Sequence, residues 1–502
     1  MRFTSLIVEL VRARPRLIVW IAVLLQAALW LVLPTLLYRS PPGDIATLLA
    51  FGREYQVGTD IGPPLAFWLA DIAFRAAGEH LIGVYLLSQI CFVVTMVALF
   101  DLGSAIVGRQ QAALAVLLTA TIFVFSFPGV EFAPSVLARP LWALVLLHAW
   151  RVIGQGRRNA WFALSIEAGL LLLTTHAAVL LLVLLLGFML ATVRGRRALA
   201  SVDPWFALAV MLVLVLPYLV WLFRSTALQL PPLPRSDELA ERSLRWGTLL
   251  LGLLMTLCGI ALLTLFNSAR LSRRPDDAPV IFRPPVEPFA RHFVLFFACV
   301  PAVAATLVSA LFGFDEIAGG AGTVLLLSGL AVIVFSGDLV PLRREDVLGM
   351  VWAAIVCAPA IAVLATTFIQ PWTGTAEVRT SLPARAMGRF FSESFERRTG
   401  QSLRAVAGDE QLAALIGLGA PRRPHVFFDA SPQRTPWLSA AKFRQSGGLV
   451  LWRAADTAGT PPEDIAKRFP GLAPEVPRAF ERMVNGRQPL LRIGWGIVRP
   501  AP

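Results

Sequence analysis

Long apolar stretches alternate with short polar connections along most of the chain, and many of them are too long and too uncharged for core helices of a water-soluble domain. A bilayer core takes about 20 apolar residues per helix, and on that measure about eleven spans are predicted. They run Arg16–Leu37, Leu81–Leu102, Ala112–Phe127, Val136–Val152, Trp161–Thr175, Ala177–Val193, Trp205–Phe223, Trp246–Phe266, Phe293–Phe312, Ala321–Phe335 and Val347–Ile369. Two pairs form tight hairpins, one turning near His176 and the other near Asp315. The first run has no small-residue cleavage site before Tyr38, so it reads as a retained helix and not as a removed signal.

From Pro371 onward the apolar runs shorten to strand length. His425–Ala430, Gly448–Ala454 and Leu490–Val498 read as strands, and Pro383–Arg398, Asp409–Leu418 and Pro462–Phe469 as helices. The predicted architecture is a polytopic α-helical membrane protein, residues 1–370, followed by a small α/β domain, residues 371–502. None of its strands leads into a Gly-rich phosphate loop. Asp429, Ser431 and Arg434 follow a strand, where turn chemistry and a site both account for them.

Composition agrees. Hydrophobic residues make up 56% and charged residues only 15%, which excludes both a typical cytosolic enzyme and a disordered chain. The net charge of +13 is nearly all arginine, Lys442 and Lys467 being the only lysines. These arginines lie between apolar runs and form no patch for nucleic acid, so their meaning is topological. With the N-terminus inside, the cytoplasmic connections hold Arg2, Arg12, Arg14, Arg16, Arg109, Arg151, Arg157, Arg158, Arg194, Arg196 and Arg197. Arg270, Arg273, Arg274, Arg283, Arg291, Arg343 and Arg344 fall on the same side, and an odd span count puts the tail outside. Cys91, Cys258, Cys299 and Cys357 lie in apolar runs without metal-ligand spacing and read as packing residues.

The connection Tyr38–His80 is unusually long and half apolar. Ala46, Leu49, Ala50 and Arg53 fall at helical spacing, as do Phe67, Ala70, Asp71 and Phe74. This predicts two amphipathic helices on the outer membrane surface, broken at Gly58–Pro64 by the pair Pro63-Pro64. Asp44-Ile45-Ala46 opens the first helix, and Gly62-Pro63-Pro64-Leu65 with Phe67-Trp68-Leu69 opens the second. An acidic residue after the first span, a helix, then a PPL motif with aromatics resembles the C-type membrane glycosyltransferases. Protein O-mannosyltransferases and bacterial lipid A sugar transferases belong to that superfamily. The segment Phe132–Leu144 is similar to the start of the fourth span in members acting on lipopolysaccharide. This chain differs in having Ile45 for the second acidic residue, Gly62 for the basic residue before the prolines, and Thr174-Thr175-His176 where Ser/Thr-Lys-Tyr is common.

The resemblance implies an inverting transfer of a sugar from a polyprenyl phosphate to a membrane glycolipid or glycan acceptor, such as lipid A or a lipopolysaccharide core. It places the chain in a bacterial inner membrane with its site and tail on the periplasmic side. Asp44 and Glu131 are the implied carboxylates, Asp44 accepting the acceptor's proton. Arg53, Arg75, Arg139, His176 and Arg242 are candidates for the donor phosphate, and Asp60, Pro63, Pro64 and Trp68 for the donor loop. Each has a plainer reading. Asp44 suits a helix N-cap, Asp60 a turn, and Arg139 an ion pair with Glu131. His148, within the fourth span, reads as a hydrogen-bonded bundle residue, and Asp315-Glu316 beside Gly319-Gly320 as a hairpin cap. Pro231, Pro232 and Pro234 mark an outer loop able to close over a donor. No cofactor is required; the carboxylates suit a divalent cation, though their spacing does not demand one. A lipid-linked saccharide flippase and a non-catalytic assembly protein are the alternatives. The flippase predicts inverted repeats, which the chain does not display.

Overall fold

The uncharged run after Arg16 builds the first long helix of the computed structural model. The structure describes residues 9–127, 130–225, 235, 237–268, 280–282, 285–342, 344–374, 377–428, 434–454, 456–482, 484, 486–487 and 490–500. Arg2, Pro231, Pro232, Pro234, Arg270, Arg273, Arg274, Arg283, Arg343, Asp429, Ala430 and Ser431, named above, lie outside the described residues.

The helices up to the first strand are α1 Pro15–Leu37, α2 Ile45–Gly52, α3 Leu65–Ala76, α4 Ile82–Val107, α5 Arg109–Thr119, α6 Phe123–Ser126, α7 Pro134–Ile153, α8 Ala160–Leu172, α9 Ala178–Ala191, α10 Val193–Leu199, α11 Asp203–Arg224, α12 Leu239–Met255 and α13 Cys258–Phe266. Then come β1 Val280–Phe282, α14 Pro288–Phe312, α15 Ala321–Val324, α16 Ser328–Phe335, β2 Leu339–Pro341 and α17 Glu345–Phe368. Contacts divide the chain into two units. The first is Met1–Val32, Ile61–Ala66 and Tyr85–Ala360; the second is Leu33–Asp60, Phe67–Val84 and Ile361–Pro502.

Among the described residues six single helices are long and apolar enough to cross a membrane, or eight when each bent pair counts as one span. The eleven expected from hydropathy exceed this because apolarity does not guarantee an unbroken helix. The third stretch stops at Thr119, where the Thr119 and Thr121 hydroxyls donate back to the Ala115 and Leu118 carbonyls. The fifth is only Ala160–Leu172, and the sixth turns through 107° between α9 and α10. The eighth bends by 50° between α12 and α13. Prolines lie inside α1, α7, α11, α14 and α17, and are tolerated because membrane helices find other partners for the freed carbonyl.

In the first unit, small residues bring helices close. A Cβ on Gly329 of α16 would meet the Ala115 carbonyl of α5 at 2.5 Å, and one on Gly259 of α13 would meet the Thr121 carbonyl at 2.2 Å. Phe188 of α9 packs among Phe289, Phe293, Phe296 and Phe297 around α14. His148 of α7 is a hydrogen-bonded bundle residue, as expected, with Nδ1 2.8 Å from Glu167 of α8 and Nε2 2.9 Å from Arg151.

The second unit gathers chain from both ends of the sequence. After α18 Gln370–Thr373 come α19 Ala384–Thr399, β3 Ala405–Gly408, α20 Glu410–Gly419, β4 His425–Phe427, α21 Ala440–Ser446, β5 Gly448–Arg453, α22 Glu463–Arg468, β6 Ala473–Phe480 and β7 Leu491–Val498. The sheet order is β4-β3-β5-β7-β6, with β3 parallel to β4 and β5, and β7 antiparallel to β5 and β6. All six elements expected in the tail are present within a few residues. β3 and β6 were not anticipated. β3 has only four residues, Ala405–Gly408, and β6 carries Pro474 and Pro477 on a largely exposed edge strand. Phe427, Phe443, Val450 and Trp452 fill the core beside α21 and α22.

The break at Gly58–Pro64 falls between α2 and α3 as expected. Against the surface position expected for it, α2 is mostly buried, because Ile45, Ala46, Leu48, Leu49 and Phe51 leave it no polar face. Phe51 stacks on Phe428 at 5.0 Å and meets Trp437 edge-on at 5.3 Å. Asp71 of α3, fully buried, pairs with Arg423 at 2.8 Å and Arg75 at 2.6 Å, and accepts from the Tyr55 hydroxyl at 3.0 Å. Removing one partner of a buried pair strands the other charge at a cost of about 3–5 kcal/mol, whereas well-packed apolar replacement of both is often near neutral. Arg423→Ala is therefore expected to lower the unfolding free energy of the solubilised protein by about that amount, and Asp71→Leu/Arg423→Met to recover most of it. Thermal or denaturant unfolding followed by tryptophan fluorescence checks both.

Candidate active site

Asp44 stands at the N-cap of α2, with its carbonyl accepting from Leu48 N at 2.9 Å. Its side chain makes no capping hydrogen bond, so the plain cap does not account for the carboxylate. It is exposed and lines an open cleft, with free space of about 450 Å³, together with Ser40, Thr47, Arg379, Gln411 and Arg453. The loop before it is anchored. Arg39 N and Ser40 N donate to the Thr380 carbonyl, and the buried Ser40 hydroxyl donates to the Arg379 carbonyl at 2.5 Å. Arg453 pairs with Glu377, which also takes Arg482 at 3.3 Å. Arg379 is exposed and has no ion-pair partner among the described residues. Sequence reasoning missed Arg379 and Arg453 because it set the tail apart from the first loop.

Most of the other loop candidates in the second unit are engaged. Arg75 is tied to Asp71. Arg53 caps the end of α2 half-buried, and desolvation lowers its pKa; its Nη1 has no hydrogen-bond partner. Burial, and then its hydrogen bond to Asp71, raises the Tyr55 pKa. Asp60 pairs with Arg434 at 3.0 Å, and Arg434 also reaches Glu410, so the tail arginine is part of a structural network. Trp68 Nε1 donates to the Gln56 carbonyl at 3.0 Å.

In the first unit Pro63 and Pro64 are buried, and Leu65 N donates to the Leu173 carbonyl at 3.0 Å. His176 Nε2 lies 2.7 Å from the Tyr218 hydroxyl, and burial lowers its pKa, so at neutral pH it offers hydrogen bonds and no charge. Arg242 faces Glu238 at 3.5 Å, and Arg245 pairs with Asp315. Glu131 is exposed just before α7.

Arg139 of α7 is different. Its Nη1 donates to the Val124 carbonyl at 3.2 Å, and its guanidinium lies 5.5 Å from the centre of the Phe125 ring. No carboxylate among the described residues pairs with it, so the ion pair with Glu131 that would have explained it is not formed. Arg139 Nε, Gln89 Nε2 and Trp30 Nε1 are all buried without an acceptor, and these three residues line one narrow cavity with Gln26, Ser88 and Phe125. Gly322 of α15 makes room for the arginine: a Cβ there would lie 2.5 Å from Nε. The cavity is thus lined by three buried donors that have no hydrogen-bond acceptor. Gln89 and Trp30 carried no sequence signal, since single polar or indole groups are ordinary in spans.

Residues 62–221 match the family model described as dolichyl-phosphate-mannose-protein mannosyltransferase. Nothing among curated proteins matches the chain. Among solved structures, ArnT from Cupriavidus metallidurans bound to undecaprenyl phosphate is 13% identical, with a TM-score of 0.59 over 98% of this chain and 100% of that one. Its apo state gives 0.54 at 13% identity over the same shares. The arabinofuranosyltransferase AftD from Mycobacteria is 14% identical, with a TM-score of 0.51 over 96% of this chain and 40% of that one. Identities this low speak for fold, and the family segment begins at the Gly62-Pro63-Pro64 motif. Residues 62–221 thus resemble that mannosyltransferase family, and nearly the whole chain shares the fold of the membrane protein ArnT.

Proposed function

We propose that this chain is a membrane glycosyltransferase of the C type that takes a sugar from a polyprenyl phosphate and passes it, with inversion, to a cell-envelope glycolipid at the outer face of a bacterial inner membrane. The observation that carries the reading is the set of unaccepted donors Trp30 Nε1, Gln89 Nε2 and Arg139 Nε around one cavity. Each buried donor left unsatisfied costs about 1–3 kcal/mol, which a phosphate oxygen would relieve. The three lie within about two turns of one end of α1, α4 and α7, the end that flanks the first loop and the approach to α7. On the arginine orientation that end is the outer one. The likeness to a structure holding undecaprenyl phosphate supports a lipid-phosphate donor. A lipid A or lipopolysaccharide core acceptor rests on the resemblance of Phe132–Leu144. Residues 371–502 are read as a periplasmic α/β domain.

In this mechanism the acceptor hydroxyl attacks the anomeric carbon, and the C–O bond to phosphate breaks on the opposite face. Asp44 takes the hydroxyl proton as the bond forms. The phosphate leaves as the lipid phosphate anion, and within the first unit Arg139, Gln89 and Trp30 are the donors suited to a phosphate oxygen. Arg75 and Arg242 already have carboxylate partners, which leaves Arg53 and Arg139 among the candidate arginines, and Arg139 shares its cavity with two further donors without acceptors.

Asp44→Asn is expected to lower the turnover of a labelled polyprenyl-phosphate sugar by about 10²–10⁴-fold while the protein still binds donor. Near-normal transfer by this variant would remove the assignment. Arg139→Gln is expected to raise the donor concentration for half-maximal rate by about 10- to 100-fold. Gly322→Ala, which changes no polar group, should move the same parameter in the same direction because its methyl displaces the arginine. Initial-rate measurements with varied donor check both.

A further inference from the structure

The cleft around Asp44 holds two cations that the transfer reaction as described does not use. We infer that this cleft also binds an oxyanion, phosphate or carboxylate, carried by the acceptor, and that Arg379 is the residue that holds it. The inference rests on the transferase reading above and on the chemistry of inversion. A base must touch the attacking hydroxyl, and the leaving phosphate departs from the other face of the sugar. Groups that share the base's cleft therefore meet the acceptor and not the departing phosphate.

Arg379 fits that role and Arg453 does not. Arg453 is already paired with Glu377, whereas Arg379 has no ion-pair partner among the described residues. The Arg379 backbone is fixed, since its carbonyl accepts from the buried Ser40 hydroxyl and it opens the short 3-10 turn Arg379–Ser381. A guanidinium on an anchored backbone, beside the side chains of Thr47 and Gln411, is suited to a forked hold on an oxyanion. The acceptor would then be a glycolipid or glycan with a phosphate or carboxylate close to its reactive hydroxyl. Arg379 acts as a specificity residue contributed by the C-terminal segment.

The test uses the full-length protein, a labelled polyprenyl-phosphate sugar and a membrane glycolipid extract. Arg379→Gln is expected to raise the extract concentration for half-maximal rate by about 10- to 100-fold, with the donor value within about two-fold of wild type. Arg379→Lys should recover part of the loss, because it keeps the charge without the fork. Inorganic phosphate should inhibit competitively against the extract, and Arg379→Gln should lose that inhibition. A rise in the donor value instead would assign the cation to the leaving phosphate and overturn the inference, as would no change in either value. If wild type transfers no sugar, the transferase reading fails, and calorimetry with inorganic phosphate judges the cleft by itself. Arg379→Gln should then weaken phosphate binding, and Asp44→Asn should strengthen it by removing a repelling charge. Equal binding by all three proteins would leave no oxyanion site.

Discussion

Asp71 lies with no exposure between Arg423 and Arg75, and a carboxylate so placed is stable only while the cations stay beside it. The demand reaches well beyond the pair. Arg423 also donates to the Leu49 carbonyl at 3.3 Å in the last turns of α2, and its guanidinium lies 4.8 Å from the centre of the Phe74 ring on α3. Both loop helices are thus held against the residues that lead into β4. Asp44 is at the other end of α2, so the arginine that neutralises Asp71 also sets where the cleft carboxylate stands. His425 with Glu54 at 2.6 Å and Arg434 with Asp60 at 3.0 Å repeat the link on either side. Tyr55 and Arg423 both have left-handed backbones, φ 47° and 44°. Each costs about 1–3 kcal/mol that the surrounding contacts must offset.

What the sequence disclosed follows from where the information sits. A long uncharged run such as Leu17–Leu37 can only be a span, and Pro63-Pro64 can only interrupt a helix, so both were legible locally. The ends of the shorter spans were not. They depend on threonine hydroxyls returning to the carbonyls of their own helix, at Thr119 and Thr174, and hydropathy is blind to that choice. Edge strand β6, with its prolines, reads as loop until β7 pairs with it.

The site divides in the same way. Asp44 was found through its motif, and its failure to cap α2 became visible only from side-chain geometry. Asp71 was visible as a lone charge on the apolar spacing of α3, but its partner Arg423 is far along the chain, and no local pattern joins them. Arg379 and Arg453 were missed for that reason too. They belong to segments that sequence reading assigns to another domain, and only the hydrogen bonds of Arg39 and Ser40 to Thr380 and Arg379 bring them beside Asp44.

The departures from the family pattern are best understood as a redistribution of charge. Ile45 is completely buried, so a second acidic residue at that position would be an unpaired charge inside the second unit. On the proposed reading, Asp44 is the loop carboxylate left for the chemistry. Gly62 removes the basic residue that the resembled family places before its prolines, and the neighbouring loop arginine Arg75 is committed to Asp71. A donor phosphate would then draw its cation from Arg53 or from outside the loop. Arg139 is suited to supply it, because it carries a charge into a span with only a carbonyl and an aromatic ring for company. Such a charge is costly without a partner, and the close approach permitted by Gly322 shows that the fold makes space to keep it. A residue retained at that cost, beside two further donors without acceptors, has its simplest physical explanation in an anion that arrives with the substrate.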